Sequence, residues 1–278
     1  MSAIRVAAIF VALCLLASLL GCSPQGADGL LVEVLDVGQG DCTLITAGEH
    51  TLMIDAGTAT ARDAVRGHLQ ERSIDRLDYL LLTHPHEDHI GNARVLIETD
   101  TVGALILPAQ GSEELGYQLI LNAATAKNIP MHTAKAGDTY AIGNATLEIL
   151  FANAEAKEPN DSSTVCRVTY GETACLFTGD AEEEGEQALL SDVPADKLRC
   201  DLLKAGHHGS DTSLCEALLQ ATAPTQVAIS CGEDNDYGFP HRALLARLEA
   251  VGAEWHRTDE EGTLCYVSDG ATLQYRSR

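Results

Sequence analysis

The segment LLLTHPHEDHIGN, residues 80–92, decides how this chain folds and where its chemistry lies. Its first four residues, LLLT, are typical of a buried strand. They run directly into four potential metal ligands: His84, His86, Asp88 and His89. In an extended chain, side chains two residues apart point to the same side, so His84 and His86 form one pair. Asp88 and His89 follow where the chain turns towards a helix, and they form a second pair at a neighbouring point.

These two pairs predict a site for two divalent cations rather than for one. Imidazole and carboxylate ligands without a thiolate favour zinc, with manganese or iron as alternatives, over calcium. Histidines at the end of a strand can also be ordinary loop residues. Four metal-ligating side chains after one apolar strand are hard to explain in that way, so we expect metal binding.

The second half of the chain repeats the pattern of the first. TAGEHTLMIDAG (46–57) aligns with TYGETACLFTGD (169–180) at an offset of 123 residues. Carried forward without a gap, this offset places His84 on His207. Few positions are identical, so chance agreement stays an alternative. In each half a hairpin and a helix precede an apolar strand that ends in a histidine cluster.

Two such halves predict two mixed β-sheets packed face to face with helices outside, a four-layer αββα sandwich of the α+β class. Strand ends from both halves would then converge on one edge, where their polar clusters can meet. Hydrophobic residues make up 45% of the 278 residues, which is enough for one large core. We therefore expect a single hydrolase domain over residues 30–278.

The first residues indicate export. A basic residue precedes an apolar run, 6–20, that is shorter than the roughly 20 residues of a bilayer span. The run leads into LLGC, which resembles a bacterial lipobox, where the cysteine is acylated and becomes the mature N-terminus. We predict a lipoprotein signal peptide over 1–22, a lipid on Cys22 and a polar tether over 23–29. An uncleaved signal anchor is the alternative, and either arrangement holds the domain at the outer face of the cell membrane.

The chain is strongly acidic, with 41 acidic and 18 basic residues and a formal net charge of −23. This field repels a phosphate backbone at long range, although a bound metal or a local basic groove could override it. A nuclease would need a basic strip, for which the candidates are Lys204, Arg242, Arg247 and Arg257. Solubility alone also accounts for the acidity.

Five motifs together resemble one known family. They are DVGQGDCTLI (36–45), LMIDAG (52–57), LLTHPHEDHIGN (81–92), LFTGD (176–180) and LLKAGHHGS (202–210). In this order they resemble the metallo-β-lactamase superfamily, and more narrowly the hydrolase domain of ComEC-type competence proteins and its stand-alone relatives. A group of phosphorylcholine esterases shares the same plan. The resemblance covers nearly all of residues 30–270.

The resemblance implies a role for each matching ligand. His84 and His86 would bind the first metal, and Asp88 and His89 would bind the second. Asp180, at the end of LFTGD, would bridge both metals through its two carboxylate oxygens.

One histidine of the pair His207-His208 would complete the second metal site. The internal repeat selects His207, since it alone coincides with His84. His208 would then face the substrate or hydrogen-bond a ligand. Either Asp88 or His208 could transfer protons during catalysis.

Two carboxylates near the motifs are expected to act without binding metal. Asp55 in LMIDAG would support the site by accepting hydrogen bonds, with an ordinary turn carboxylate as the alternative. Asp41 is interpreted as a turn residue.

The chain departs from its relatives at two places. Many superfamily members place a third histidine before the bridging aspartate, where this chain has NDSS (160–163), as ComEC-like members do. Asn160 would support a first metal whose shell is completed by water. The relatives carry Tyr-Gly-His-Pro, whereas here Phe239 stands in place of that histidine. His241 is the candidate to replace it in catalysis, and the opening of a helix is its alternative role.

The predicted activity is hydrolysis by a hydroxide that bridges two metals, because two cations lower the pKa of a shared water towards neutrality. A phosphodiester is the favoured substrate, in a short ester, a nucleic acid or a cell-envelope polymer, because the similar families act on nucleic acid or phosphocholine. The alternatives are an extracellular DNA nuclease for DNA uptake or scavenging, and a metal-binding adaptor lipoprotein without turnover. β-Lactams are less favoured because the third histidine is absent.

Overall fold

The computed structural model describes residues 29–99 and 101–277. The predicted signal peptide, the lipidation site Cys22 and all but the last residue of the predicted tether lie outside the described residues. Within those ranges, no helix has the length and apolar character needed to cross a lipid bilayer.

Two mixed β-sheets form the centre of the described chain. The first sheet contains β1 (Leu30–Val34), β2 (Thr43–Ala47), β3 (His50–Ile54), β4 (Leu77–Leu81), β5 (Val102–Leu107), β6 (Met131–Thr133), β14 (Leu264–Ser268) and β15 (Leu273–Tyr275). The second contains β7 (Thr139–Ile142), β8 (Ala145–Phe151), β9 (Val165–Tyr170), β10 (Thr173–Phe177), β11 (Leu202–Lys204), β12 (Gln226–Ile229) and β13 (Glu254–Arg257). Their spatial orders are β15-β14-β1-β2-β3-β4-β5-β6 and β13-β12-β11-β10-β9-β8-β7.

Helices lie outside the two sheets. In the described residues they are α1 (Arg62–Glu71), α2 (Glu87–Ile90), α3 (Ala93–Glu98), α4 (Leu115–Ala126), α5 (Glu183–Asp192), α6 (Ala195–Leu198), α7 (Glu216–Thr222), α8 (Arg242–Val251) and α9 (Thr258–Glu261).

Three apolar clusters separate the layers. Between the sheets, Leu52 and Leu81 of the first pack in one cluster with Val168 and Phe177 of the second. On the outer face of the first sheet, Met53 packs with residues of α1, α3 and α4, and a corresponding cluster joins the second sheet to α5, α7 and α8. This arrangement confirms the predicted αββα sandwich.

The internal repeat is visible in the strand register. Ile54 lies opposite Leu81 in the parallel pair β3–β4, and Phe177 lies opposite Lys204 in the parallel pair β10–β11. The offset of 123 residues converts the first pairing into the second. The two halves therefore share their hairpin and the parallel strand beside it.

The same offset relates a side-chain contact in each half. Asp78 accepts a hydrogen bond from the backbone N–H of Thr51 at 3.0 Å, and Asp201 accepts one from that of Ala174 at 2.8 Å. Both the carboxylates and their donors are 123 residues apart. This agreement supports a duplication rather than chance similarity.

The strands that the sequence pattern does not delimit, β6, β7, β13 and β15, are the edge strands of the two sheets. They are short, and most of their residues are exposed or half-buried. An edge strand packs on few neighbours, so its sequence need not alternate between apolar and polar residues.

Glu33 is a buried carboxylate of β1 that points towards α1. His68 Nε2 lies 3.2 Å from its Oε2, and Arg72 donates through Nε to Oε1 at 3.1 Å and also through Nη2. Burial alone would raise the pKa of Glu33, but His68 and Arg72 outweigh it and hold the pKa below the ordinary value of 4.5.

We expect Glu33→Gln to lower the free energy of unfolding at pH 7 by about 3 kcal/mol, because it leaves the half-buried Arg72 without its buried counter-ion. Since the folded pKa is lowered, the stabilisation is present above a pH of about 4.5 and is lost as the pH falls through the folded value. Urea unfolding at several pH values should show the difference from wild type shrinking in acid. A pH-independent difference would contradict this account.

Candidate metal centre

Loops that follow strands of both sheets meet at one edge of the sandwich. His84 and His86 come after β4, Asp180 after β10 and His208 after β11. Asp41 lies in the loop between β1 and β2. The carboxyl ends of these parallel strands face the same way, which brings residues distant in sequence together.

Asp180 lies at the centre of this cluster and is 2% exposed. Its Oδ2 is 3.2 Å from His89 Nε2, 3.4 Å from His208 Nε2 and 3.9 Å from His84 Nε2. The hydroxyl of Ser163 accepts a hydrogen bond from the Asp180 backbone N–H at 3.0 Å, which fixes this turn. Asp180 therefore stands where a bridging carboxylate is expected.

The remaining predicted ligands of the segment 84–89 lie around it. His86 Nδ1 is 3.0 Å from His84 Nε2, and Asp88 Oδ2 is 3.1 Å from His208 Nε2. The structure thus brings together five of the six residues predicted as ligands: His84, His86, Asp88, His89 and Asp180.

The sixth predicted ligand, His207, points elsewhere, and His208 takes the place assigned to it. His208 is 1% exposed, whereas His207 is half-buried and its Nδ1 lies 2.8 Å from Glu182 Oε1. Both histidines have a left-handed backbone, with φ of 47° and 54°. Because of this conformation, the two halves cease to superimpose residue by residue just after β11. The residue that reaches the cluster is therefore His208, one position after the residue that aligns with His84. The structure therefore places His208 in the cluster, and not His207, which the repeat selects.

Asp55 supports the cluster from behind, as expected. Its Oδ2 lies 2.7 Å from His89 Nδ1, and it accepts hydrogen bonds from the N–H and the hydroxyl of Thr83 at 2.8 and 2.7 Å. With its Nδ1 held by Asp55, His89 presents Nε2 to Asp180.

Asp41 is a member of the cluster that the sequence interpretation assigned to a turn. Asp41, His89, Asp180 and His208 are all buried, and each offers one potential ligand atom within 4.8 Å of the others. The backbone N–H of Asp41 donates to the Asp88 carbonyl at 3.1 Å. The position next to it must be glycine, because a Cβ on Gly40 would lie 2.5 Å from that carbonyl oxygen. The repeated glycines of DVGQGD were the available signal for this close approach.

Asn160 lies beside the cluster rather than in it. Its Nδ2 is 3.5 Å from Glu182 Oε1, the oxygen that also contacts His207 and the Thr212 hydroxyl. Asn160 therefore lies on the side of the site that contains His207. In the same segment, Ser163 contacts Asp180 directly, as described above.

His241 lies outside the cluster, and both of its ring nitrogens contact other residues. Its Nδ1 lies 2.9 Å from Asp211 Oδ1 and its Nε2 lies 3.2 Å from the Tyr237 carbonyl oxygen. The ring of Phe239 packs against His241, His207 and His208, with centroids 5.0, 5.6 and 6.3 Å apart. His241 precedes α8, which agrees with its alternative role at the opening of a helix.

The four residues named as candidates for a basic strip do not form a row of unpaired positive charges. Lys204 is buried and its Nζ lies 2.6 Å from Asp41 Oδ2. Arg247 donates to the carbonyl of Ser213 at 2.7 Å, and Arg257 pairs with Asp259. Only Arg242 among the four candidates is exposed without such a contact in the described residues.

The pKa values of the clustered carboxylates and imidazoles are shifted because groups of opposite charge lie close together. Burial alone would raise the pKa of Asp180, but His89 and His208 hold it well below its usual value. Burial would lower the pKa of both imidazoles, yet Asp180, with Asp55 beside His89 and Asp41 beside His208, raises both. The cluster therefore stabilises positive charge at its centre.

The pKa of His84 is shifted in the opposite direction to those of His89 and His208. Burial and the neighbouring His89 lower its pKa well below the usual value. It is neutral at physiological pH and has a lone pair available for a cation.

The donor atoms fit a metal centre. Asp180 Oδ1 and His89 Nε2 are buried and form no hydrogen bond within the described residues, although His89 Nε2 lies close to the other Asp180 oxygen. A buried polar atom left without a partner costs about 1–3 kcal/mol. A divalent cation satisfies imidazole nitrogen and carboxylate oxygen together.

A two-sheet sandwich with histidine and aspartate side chains gathered at its strand ends is the structural class to which many metal-dependent hydrolases belong. The chain belongs to the metallo-beta-lactamase superfamily, whose family model matches residues 35–233.

Curated relatives confirm the narrower resemblance. ComE operon protein 3 of Bacillus subtilis is 32% identical over 256 residues, which cover 84% of this chain and 32% of that protein. Recombination protein 2 of Haemophilus influenzae is 30% identical and Competence protein ComA of Neisseria gonorrhoeae is 30% identical, over 83% and 84% of this chain. The chain spans about a third of the length of these relatives.

Solved structures share the fold. The metallo-beta-lactamase fold protein YhfI from Bacillus subtilis superposes with a TM-score of 0.60 at 15% identity, covering 87% of this chain and all of that one. The diiron beta-hydroxylase CmlA from Streptomyces venezuelae gives a TM-score of 0.53 at 16% identity, over 84% of this chain and 53% of that one.

Proposed function

We propose that this protein is an exported, lipid-anchored hydrolase that uses two divalent cations to cleave phosphodiesters. The observation that carries the proposal is the buried group formed by Asp41, His89, Asp180 and His208, with its unpartnered donor atoms. The lipid on Cys22 and the position at the outer face of the cell membrane rest on the lipobox-like sequence.

Two sets of residues would hold the cations. His84 and His86 would hold one cation and His89, Asp88 and His208 the other, with Asp180 within 4 Å of a histidine of each set. When bound, two divalent cations, with zinc the preferred metal, supply a water nucleophile at neutral pH and positive charge towards the attacked group.

Asp88 is the carboxylate of the cluster that can meet a substrate. Its side chain is 32% exposed, against 3% for Asp180. Burial would raise its pKa, but His208 and His89 lower it, so it is ionised at neutral pH. Its exposed carboxylate can therefore contact a substrate or the attacking water. This supports the catalytic role predicted for Asp88.

His207 takes the substrate-facing role that the sequence interpretation gave to His208. It is half-buried, and Glu182 holds its Nδ1. Since one ring nitrogen is held, the other can donate a hydrogen bond to a phosphate oxygen or to a leaving group.

Charge favours a short ester over long duplex DNA. The chain carries a net charge of −23, and three of the four candidate basic residues are engaged by other groups. A small phosphodiester needs only the charge of the two cations, whereas a duplex needs a row of free lysines or arginines.

A DNA nuclease is the second candidate. Its support is the similarity to curated relatives that are named for competence and recombination. A metal-binding adaptor would use the same histidine and aspartate side chains, so turnover alone separates this third candidate from an enzyme.

The test is an assay of the purified protein with bis(p-nitrophenyl) phosphate, plasmid DNA and a chromogenic β-lactam, together with a measurement of bound metal. We expect turnover of the activated phosphodiester that EDTA abolishes and that zinc or manganese restores. Cleavage of plasmid but not of the small ester would favour the nuclease. Metal content without turnover of any substrate would favour the adaptor and contradict the proposal.

A further inference from the structure

Lys204 is a lysine in the apolar layer between the two sheets. It ends β11 and is 2% exposed. The repeat register places it where the first half has Leu81, a member of the core between the sheets. An ammonium group in such a place is strongly destabilising unless it is paired. Its partner therefore indicates why a lysine stands there.

That partner is Asp41. Lys204 Nζ lies 2.6 Å from Asp41 Oδ2 and also donates to the Ala205 carbonyl at 2.6 Å. The other carboxylate oxygen, Oδ1, is buried without a hydrogen-bond partner in the described residues and lies at an ion-pair distance of 3.2 Å from Nδ1 of His208. The lysine thus holds the carboxylate against the back of the imidazole.

The two nitrogens of His208 face different surroundings. On the Nδ1 side lie Asp41 and the Ser230 carbonyl, which is 3.2 Å away. On the Nε2 side lie Asp88 and Asp180, at 3.1 and 3.4 Å. Acceptors behind Nδ1 leave the Nε2 lone pair directed into the cluster.

In the first half, a carboxylate is also held behind a histidine of the cluster, but without a lysine. Asp55 contacts Nδ1 of His89 and is held by two hydrogen bonds from Thr83. The first half therefore supplies the carboxylate behind the central histidine of each half: Asp55 behind His89 and Asp41 behind His208. Behind His208, the ammonium of Lys204 holds the Asp41 carboxylate, as Thr83 holds the Asp55 carboxylate behind His89.

We propose that Lys204 is a positioning residue of the metal centre: it fixes Asp41 behind His208, so that Asp41 orients this histidine and does not itself bind the cation. The inference rests on the proposed function, because it assumes that His208 is a ligand. The Lys204–Asp41 pair is neutral, so it orients His208 without adding net charge to the centre.

The test compares zinc affinity, measured by competition with a chromophoric chelator, in wild type, Lys204→Met, Asp41→Asn and the double variant. Each single change should weaken zinc binding roughly 10–100-fold, as loss of an outer-shell partner does. The double variant should be no weaker than either single one, because the two residues act as a unit. Lys197→Met is the matched control, since this lysine also pairs with a carboxylate but is 47% exposed.

Two results would overturn the inference. If Asp41→Asn removes one bound zinc while Lys204→Met tightens binding, Asp41 is itself a ligand that the lysine competes for. If zinc affinity is unchanged and only the melting temperature of the metal-free protein falls, the pair serves stability alone. The double variant, which leaves no unpaired buried charge, keeps the comparison valid should a single variant fail to fold.

A crystal structure of the metal-free double variant separates this inference from the proposed function. If wild type binds no cation, the proposed function fails, but the orientation of His208 can still be compared. We expect the His208 ring to leave its place between Asp41 and Asp180 when the pair is replaced. An unmoved ring would show that Lys204 does not position it.

Discussion

Asp180→Asn is expected to abolish metal binding at the cluster and to lower hydrolysis of an activated phosphodiester by more than the roughly 100-fold upper end for loss of an outer-shell partner. Among the carboxylates of the described residues, only Asp180 lies within 4 Å of His84, His89 and His208, so its loss affects both proposed cation positions. An amide also cannot offset the positive charge that the cluster concentrates. Metal content and kcat/KM of the purified variant measure the two effects.

The control for this change is Asp192→Asn, at the exposed end of α5, which should leave both quantities at the wild-type level. A circular-dichroism melt of the metal-free proteins shows whether Asp180→Asn is folded. A folded Asp180→Asn protein that keeps two cations and full turnover would remove the basis of the proposed function.

The second large expected effect distinguishes the roles of the adjacent residues His207 and His208. We expect His208→Ala to lose the cation bound by Asp88, His89 and Asp180, with a fall in kcat/KM comparable to that of Asp180→Asn. His207→Ala should keep its metal content, because His207 pairs with Glu182 outside the cluster. If His207 contacts the substrate, its loss lowers kcat/KM by about 10²–10⁴-fold, the range for one positioned acid or base.

The two variants are controls for each other, since the residues are neighbours with the same left-handed backbone. Elemental analysis and chelator competition give the metal content of each. The reverse pattern, with metal lost in His207→Ala and retained in His208→Ala, would restore the assignment based on the repeat.

The sandwich was predictable because its signals are local. Apolar strands such as 80–82, two hairpins and the offset of 123 residues describe one half twice. Once two halves are recognised, the face-to-face packing follows from the need to bury one face of each sheet. The edge strands escaped prediction because little packing constrains their residues.

Most of the cluster was also predictable. His84, His86, Asp88 and His89 fall in one short segment, and Asp180 ends a buried strand of the repeat. Their residue types determine the chemistry wherever the strands place them. Asp41 was assigned to a turn because a single carboxylate in a glycine-rich loop has no local feature that separates a turn residue from a buried partner of a distant lysine.

The amino-acid order alone thus predicts the layered architecture and, of six side chains predicted as metal ligands, the five that the fold gathers into one cluster, because hydrophobic period and side-chain chemistry are properties of short segments. Only the folded chain reveals that His208 and not His207 enters the cluster, that Lys204 is buried against Asp41, and that Lys204, Arg247 and Arg257 are engaged by other groups. These features depend on backbone handedness after β11 and on contacts between residues more than 100 positions apart, and neither of these is written in any local pattern.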